Sequence, residues 1–352
     1  MGTRGPGAEP GIGVVGLGII GSQHVERLAD PAIPARLVGV HDADGAVTAD
    51  FARAHGVPGC TELQELLGQD GLDAVIIAVP SGLHRDLTIA ALDAGKHVLL
   101  EKPIEVKVAA ADEILRASRA AGTVLSVASQ RRFADANGFI KRLLESGGLG
   151  RVTSATVEVP LWRTQAYYDS AGWRGTWAMD GGGALMNQGV HLVDLALWLL
   201  GDVEEVYAHT GRLAHERIKV EDTVTITARL ASGALLTFLA TTAANAPPPI
   251  RMAIMGDRGS VVTLDEQITH FATIDGPQDV EFAPRVGEEA RHSEVEHQQR
   301  LQLLDFLSAL RGEKPPLVTA EQARNALAFI EAVYESGRTG RPVRPAPVDP
   351  SA

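Results

Sequence analysis

The feature that most constrains the fold is a glycine-rich segment near the start of the chain. Gly16-Leu17-Gly18-Ile19-Ile20-Gly21 directly follows the apolar run Ile12–Val15 and opens a helical pattern. A strand, a tight glycine turn and a helix in this order begin a doubly wound Rossmann fold, in which N–H groups at the helix start hold a pyrophosphate. The segment therefore predicts a dinucleotide site that includes Gly16, Gly18, Ile19, Ile20 and Gly21. A tight turn without a ligand is the alternative.

An acidic residue stands where this fold contacts the ribose of the cofactor. Leu37–His41 is typical of a second strand, and Asp42 follows it, about 20 residues after the last glycine. A carboxylate at this position binds the ribose diol and repels a 2′-phosphate. The pattern predicts NAD rather than NADP, and an ordinary surface aspartate is the alternative.

The remaining pattern divides the chain into two domains. Short β-branched runs alternate with helical stretches up to residue 128, as in a parallel sheet covered by helices. Beyond residue 129 longer alternating strands appear, with hairpins expected at Ser232-Gly233 and at Asp257-Arg258-Gly259. We predict a disordered tail over 1–10, a Rossmann domain over 11–128, and over 129–345 an α+β domain with an open, mostly antiparallel sheet.

Composition excludes several classes of function. Lys and Arg number 32 against 44 Asp and Glu, and a net charge of −12 leaves no broad basic surface for nucleic acid. The single cysteine, Cys60, rules out an internal disulfide and fits a reducing compartment. No apolar run approaches the ~20 residues that cross a bilayer. We therefore expect a cytoplasmic protein with no nucleic-acid or membrane partner.

Two further segments carry candidate chemistry. Glu101-Lys102-Pro103 follows the predicted strand His97–Leu100, at the sheet edge where doubly wound folds bind ligands. A buried lysine there, beside a positively charged ring, would have a lowered pKa and could exchange a proton with a substrate hydroxyl. Taken alone, the tripeptide is also typical of a turn.

The second segment is a glycine triplet followed by a helical pattern. Gly181-Gly182-Gly183 leads into a stretch on which Asn187, His191 and Asp194 are spaced four and three residues apart. On an α-helix these three side chains share one face, which indicates a polar catalytic stripe. The alternative is a buried histidine held by Asp194.

Together these segments resemble the Gfo/Idh/MocA oxidoreductase family. The resemblance spans nearly the whole chain and continues in Gln130-Arg131-Arg132-Phe133 and in residues 334–342. It implies NAD(P)-dependent sugar or cyclitol dehydrogenation without a metal, a cis bond before Pro103, and a second domain whose open sheet forms homodimers or homotetramers. It also implies that Lys102 deprotonates the reacting hydroxyl, that His191 is its acid/base or orienting partner, and that the cofactor contacts include Pro80, His84, Glu101, Lys102 and Gln130.

One departure from the family pattern limits the proton chemistry. Many members carry Asp where this chain has Asn187, and an amide can orient a hydroxyl but cannot take its proton. Proton transfer is therefore expected to depend on Lys102 and His191. The asparagine form, with Trp173-Arg174-Gly175-Thr176-Trp177 ahead of it, is most similar to the branch of UDP-N-acetylglucosaminuronate 3-dehydrogenases and related sugar 3-dehydrogenases.

Aromatic residues are only 5% of the chain, yet five of its eight Trp and Tyr residues lie just before the glycine triplet: Trp162, Tyr167, Tyr168, Trp173 and Trp177. Flat rings suit the apolar faces of a pyranose, and arginines suit hydroxyls, carboxylates or phosphates. The predicted substrate contacts are Lys102, Arg131, Trp162, Arg163, Tyr168, Trp173, Arg174, Asn187 and His191. The alternatives are an interface role for the rings and, for Arg131 or Arg132, pairing with a carboxylate of the Rossmann domain.

These observations predict an NAD-dependent dehydrogenase that acts on a secondary hydroxyl, expected at C3, of a sugar, glycoside or nucleotide sugar. An inositol or cyclitol dehydrogenase and a biosynthetic ketosugar reductase are alternatives within enzymes, because the same groups serve both directions. A non-catalytic NAD-sensing regulator is the alternative outside enzymes, although it has no use for both Lys102 and His191.

Overall fold

The computed structural model of the protein describes residues 9–278 and 288–348, and it describes side chains in the second range from residue 293. Most of the predicted disordered tail therefore lies outside the described residues. Within them, no helix is long and apolar enough to cross a membrane.

The first sheet has six parallel strands in the order β3-β2-β1-β4-β5-β6. The strands are β1 (Gly11–Val15), β2 (Arg36–His41), β3 (Gly59–Cys60), β4 (Ala74–Ile77), β5 (His97–Leu100) and β6 (Leu125–Val127). The helices between them are α1 (Ile19–Leu28), α2 (Gly45–His55), α3 (Leu63–Leu67), α4 (His84–Asp93) and α5 (Val108–Ala121). Every residue of β1 and of β4 is buried, as expected of parallel strands covered on both faces. This is the predicted Rossmann architecture.

The second sheet has eight strands in the order β14-β13-β12-β11-β7-β10-β9-β8. The strands are β7 (Val152–Pro160), β8 (Val203–Gly211), β9 (Thr223–Leu230), β10 (Leu235–Thr241), β11 (Arg251–Gly256), β12 (Gly259–Leu264), β13 (Gln267–Thr273) and β14 (Gly276–Pro277). Pairing is antiparallel except between β7 and β10, and the two predicted hairpins join β9 to β10 and β11 to β12. The expected open, mostly antiparallel sheet is confirmed.

The helices outside the first sheet are α6 (Asp135–Glu145), α7 (Gln165–Asp169), α8 (Val190–Leu200), α9 (Glu288–Leu310) and α10 (Ala320–Thr339), with a π-helical segment over Ala184–Gly189 directly before α8. Of these, α8 packs on β7 and α10 on β8, on one face of the second sheet. The opposite face is left open: along β9, the side chains of Thr225, Thr227 and Arg229 are exposed and alternate with buried residues. One face therefore builds a core and the other is available to solvent or to another subunit.

Helix α9 departs from the predicted domain boundary. Its residues Leu303, Phe306 and Leu307 are fully buried in one cluster with residues of the first domain, among them Val14 of β1 and Val25 of α1. The segment counted with the second domain thus completes the core of the first. Docking of this kind joins residues far apart in the chain, and local periodicity contains no signal of it.

Candidate active site

The glycine-rich turn leaves a helix start open. Gly16 has φ +87°, and a Cβ there would lie 2.5 Å from the carbonyl oxygen of Ala78. A Cβ on Gly18 would meet nothing within 4 Å, and no side chain caps the N-terminus of α1. Free N–H groups beside open space fit the pyrophosphate of a dinucleotide.

Asp42 lies at the carboxyl end of β2, beside this turn. Its Oδ2 accepts a hydrogen bond from the N–H of Leu17 at 2.7 Å, and its Oδ1 accepts from the N–H of Asp44 at 2.9 Å. The carboxylate is thereby held against the glycine turn, the location that a ribose contact requires. The contact itself stays a prediction.

The other predicted cofactor residues follow the neighbouring strands. Pro80 comes after β4, Glu101 after β5 and Gln130 after β6, so they share one sheet edge with the glycine turn. Glu101 Oε1 contacts His24 Nε2 at 2.9 Å, which ties α1 to the loop that carries Lys102. Burial alone would raise the pKa of Glu101, but the His24 bond and the Lys102 charge outweigh it and lower that pKa.

His84 has a supporting position. It is fully buried, and its ring nitrogens contact the carbonyl oxygens of Pro103 at 2.8 Å and of Val79 at 3.0 Å. The ring thereby connects the loop after β4 to the Lys102-Pro103 loop. The resemblance implied a cofactor contact for His84, which stays a prediction; in the structure both ring nitrogens are used in holding these two loops together.

Lys102 points from the sheet edge to the second domain. The peptide bond before Pro103 is cis, as the resemblance implied. Lys102 Nζ donates to the carbonyl oxygen of Asn187 at 2.8 Å, in a cavity that His191 also lines. Burial lowers the pKa of the Lys102 ammonium, and the positive charges of Arg163 and Arg174 add to the lowering, while Glu101 and Asp180 oppose it. This lysine is therefore suited to give and take a proton.

The π-helical segment positions Asn187 and His191. The Glu221 carboxylate accepts hydrogen bonds from the N–H groups of Gly183 and Leu185, both at 2.9 Å, and from the hydroxyl of Tyr334 at 3.0 Å. These bonds fix the start of the segment, since first-turn N–H groups lack partners within the helix.

His191 lies one turn after Asn187, and among the described residues its buried Nδ1 has no hydrogen-bond partner. Burial, with the nearby charges of Lys102 and Arg131, lowers its pKa well below the usual value. His191 is therefore a neutral imidazole that faces the cavity, free to accept or donate one hydrogen bond.

Asp194 does not hold His191. Its carboxylate binds the guanidinium of Arg132 at 2.6 and 2.8 Å and accepts from Ser129 Oγ. Arg131 pairs instead with Glu266 at 2.9 Å. Both arginines thus pair with carboxylates of the second domain, not of the Rossmann domain, and the interpretation of His191 as a histidine held by Asp194 is wrong.

The aromatic segment presents two arginines. The Arg174 guanidinium lies 4.3 Å from the ring centre of Tyr167 and 4.6 Å from that of Trp173, and Arg163 lies 5.2 Å from Tyr167. Within the described part of the chain, neither guanidinium forms an ion pair with a carboxylate, although Asp180 is near enough to Arg174 for their charges to interact, and the buried Nε of each arginine is unbonded. Two cations that lack an ion-pair partner among the described residues, near Lys102, are suited to bind an anion.

The predicted aromatic contacts separate into two groups. Trp162 is 37% exposed, which leaves it free to contact a ligand. Tyr168 is only 6% exposed, and its hydroxyl bonds Thr242 Oγ1 at 2.8 Å while its ring packs on His215. The predicted substrate contact of Tyr168 is therefore replaced by a structural role within the core of this segment.

Sequence reasoning missed three residues that surround Asn187. Asp180 is 3% exposed and accepts from the side-chain amide of Asn187. Gln188 donates to Asn187 Oδ1 at 3.0 Å, and Glu221 accepts a hydrogen bond from the N–H of Leu185 at the start of the π-helical segment. Asp180 and Gln188 each adjoin a recognised motif, and that adjacency was the only available signal. Glu221 lies in the loop before β9, far along the chain, and had none.

Comparison with known proteins agrees with this geometry. Residues 11–129 match the family model described as an oxidoreductase family with an NAD-binding Rossmann fold, and residues 139–262 match the Gfo/Idh/MocA C-terminal domain. The solved WlbA dehydrogenase from Bordetella pertussis, in complex with NADH and UDP-GlcNAcA, is 31% identical over 97% of this chain and 100% of that chain, with a TM-score of 0.85.

Two curated relatives also match this chain over nearly all of its length. Myo-inositol 2-dehydrogenase of Thermotoga maritima is 27% identical over 95% of this chain and 98% of its own. The scyllo-inositol 2-dehydrogenase (NAD(+)) of Bacillus subtilis is 28% identical over 94% and 95%. With both domain models matched and the glycine turn, Lys102 and His191 at one sheet edge, the chain belongs to the Gfo/Idh/MocA family of NAD-binding oxidoreductases.

Proposed function

We propose that the chain is an NAD-dependent dehydrogenase that oxidises, or in reverse forms, a secondary hydroxyl of an anionic sugar derivative, with C3 as the reacting carbon. The observation that carries the proposal is the cluster of Lys102, Asn187 and His191 near Arg163 and Arg174, neither of which forms an ion pair within the described residues. A uronic acid or a nucleotide sugar supplies the anion that these arginines lack.

The residues of the chain divide the work of the reaction. Bound NAD supplies the hydride acceptor or donor. Lys102 Nζ takes the proton of the substrate hydroxyl in the oxidative direction and returns it in reverse. His191, as a neutral imidazole, and Asn187 hold the substrate oxygens, and the rings of Trp162 and Trp173 face the sugar.

The test is a spectrophotometric screen of uronic acids, nucleotide sugars, neutral sugars and cyclitols, with NAD and NADP side by side. We expect turnover with NAD and an anionic sugar. Preference for NADP would contradict the role given to Asp42, and turnover of neutral cyclitols alone would favour the inositol dehydrogenase function that two relatives carry.

Lys102→Met isolates the proton-transfer step. The variant keeps most of the apolar side chain and loses the amine, so turnover should fall at least about 100-fold. NADH binding, followed by fluorescence titration, should remain within about threefold of that of the native protein. Retained turnover would remove Lys102 from the mechanism. Lys219→Met, at a lysine outside the cavity, is the matched control.

We also propose a cytoplasmic homo-oligomer assembled through the open sheet face. The exposed residues Thr225, Thr227, Leu235 and Thr237 of β9 and β10 form a patch of mixed polarity of the kind that subunit interfaces bury. Sedimentation of the protein should give a dimer or a tetramer. The Thr227→Arg variant should shift the distribution toward monomer, and a monomeric native protein would contradict the proposal.

A further inference from the structure

A chain of four side chains leads from the aromatic segment to the surroundings of Lys102. Arg163 Nη2 donates to Gln188 Oε1 at 2.8 Å, and Gln188 Nε2 donates to Asn187 Oδ1 at 3.0 Å. Asn187 Nδ2 then donates to Asp180 Oδ1. The chain begins at a cation and ends at an anion.

The two ends fix the direction of every bond in this chain. A guanidinium can only donate, and an ionised carboxylate can only accept. Arg163 must therefore face the oxygen of Gln188, and Asp180 must face the NH₂ of Asn187. The bond from Arg163 leaves the NH₂ of Gln188 to face Asn187, and the bond to Asp180 leaves Oδ1 of Asn187 to face Gln188. Both amides therefore have a single orientation.

Asp180 is itself held firmly. It is 3% exposed, and its Oδ2 accepts from the N–H of Gly175 at 2.8 Å. Burial raises the pKa of its carboxyl, whereas the bonds from Gly175 and Asn187 and the charge of Lys102 oppose that rise. The carboxylate thus has one oxygen for the backbone and one for Asn187.

We propose that Asp180 is a positioning residue that determines which atom of the Asn187 amide meets the substrate. By binding the NH₂ it leaves Oδ1, with one lone pair used by Gln188 and one free, as the hydrogen-bond acceptor for a substrate hydroxyl beside Lys102. This inference rests on the proposed dehydrogenase function and assigns the polarity of its substrate contact.

Exchange of the two groups tests the assignment. Asp180→Asn is nearly isosteric: its oxygen can still accept from Gly175, but its NH₂ now faces the NH₂ of Asn187, whose Oδ1 is still held by Gln188. Either the Asn187 amide turns and loses its bond to Gln188, or it keeps that bond and meets a second donor, so its single orientation is lost. Asn187→Asp alone places a half-buried carboxylate against the buried carboxylate of Asp180. The double variant Asp180→Asn/Asn187→Asp restores a donor at 180 and an acceptor oxygen at 187. Asp169→Asn, at an exposed carboxylate of α7, is the matched control.

We expect each single variant to lower kcat about 10- to 100-fold with NADH affinity unchanged, and the double variant to recover at least about tenfold. The double variant should also be more stable to urea than the two single effects predict, a readout that needs no substrate. A double variant no better than the worse single variant, or native kcat in Asp180→Asn, overturns this inference alone. A native protein that turns over no sugar overturns the proposed function and this inference with it.

Discussion

At the scale of single residues, charge around Lys102 determines its proton affinity. Burial lowers the pKa of the ammonium, Glu101 and Asp180 raise it, and Arg163 and Arg174 lower it further. A base for a hydroxyl proton must be deprotonated near working pH, so in the proposed mechanism the two arginines favour the form of Lys102 that accepts the proton.

Arg174→Gln should change the pH dependence of oxidation. Loss of a nearby positive charge raises the Lys102 pKa, so the rising acid limb of kcat moves to higher pH. The profile is measured at saturating substrate, so that weaker binding does not mask the shift. Arg217→Gln, at an exposed arginine paired with Asp169, should leave the limb in place. An unshifted limb in Arg174→Gln would contradict the proposed role of Lys102.

Glu221 should make stability depend on pH. Burial raises its pKa to about 7, so between about pH 4.5 and 7 the folded protein binds a proton that the unfolded chain does not. Its contribution to the unfolding free energy therefore falls as pH rises through this window, by about 3 kcal/mol in all. Urea unfolding at pH 5 and 8 should show that decrease in the native protein and not in Glu221→Gln. Equal pH dependence in both would exclude Glu221 as its source.

At the scale of elements, the glycine turn separates folding from ligand binding. A Cβ on Gly21 would lie 1.7 Å from the carbonyl oxygen of Gly16, whereas one on Gly18 would enter open space. The two glycines of one motif therefore have different duties: Gly21 permits the turn, and Gly18 leaves room for the phosphates.

The matched pair Gly18→Ala and Gly21→Ala tests this division. Gly18→Ala should fold with nearly native stability and bind NADH at least about tenfold more weakly. Gly21→Ala should unfold at much lower urea, because backbone must move to admit the methyl group. Urea unfolding and fluorescence titration measure the two effects, and native NADH affinity in Gly18→Ala would contradict the location of the pyrophosphate.

Elements with strong local patterns could be predicted from the sequence. The strand His97–Leu100 has the predicted bounds, because its apolar run specifies it locally. Helix α2 and strand β13 were not predicted, since their patterns are weak without the neighbours on which they pack. The segment with Asn187 and His191 was predicted with α-helical spacing throughout, but its first part, Ala184–Gly189, is π-helical.

In the candidate site, residues within sequence motifs could likewise be predicted, whereas contacts between distant segments could not. Lys102, Asn187 and His191 adjoin sequence motifs, and the structure brings them together. The partner of Asp194 was not predictable, because Arg132 lies on a separate segment and only tertiary structure joins the two. Tyr168 illustrates the opposite error: a ring that composition assigned to the ligand is buried instead.

At the scale of the whole molecule, helix α9 joins the two halves. Phe306 is fully buried against the first sheet, in the cluster that contains Val14 and Val25. The stability of the cofactor-binding half therefore depends on residues near the other end of the chain.

Phe306→Ala should destabilise the protein by about 3 to 5 kcal/mol, the usual cost of deleting a buried aromatic ring. Loss of NADH binding should move to lower urea together with the global unfolding transition, because the lost contacts belong to the Rossmann core. Leu317→Ala, at a leucine that is 36% exposed after α9, is the control. If Phe306→Ala binds NADH up to the same urea concentration as the native protein does, the Rossmann half is stable without the contacts of α9.

The pairing of β7 has a consequence for synthesis on the ribosome. This central strand lies between β10 and β11, both of which emerge from the ribosome much later. The first sheet likewise waits for α9 before its core is complete. Strand β7 cannot pair until β10 and β11 have been made, and the core of the first sheet is incomplete until α9 has been made. Contacts of such long sequence separation form slowly. The interval between translation of β7 and of α9 is therefore the period in which the nascent chain most needs protection from aggregation.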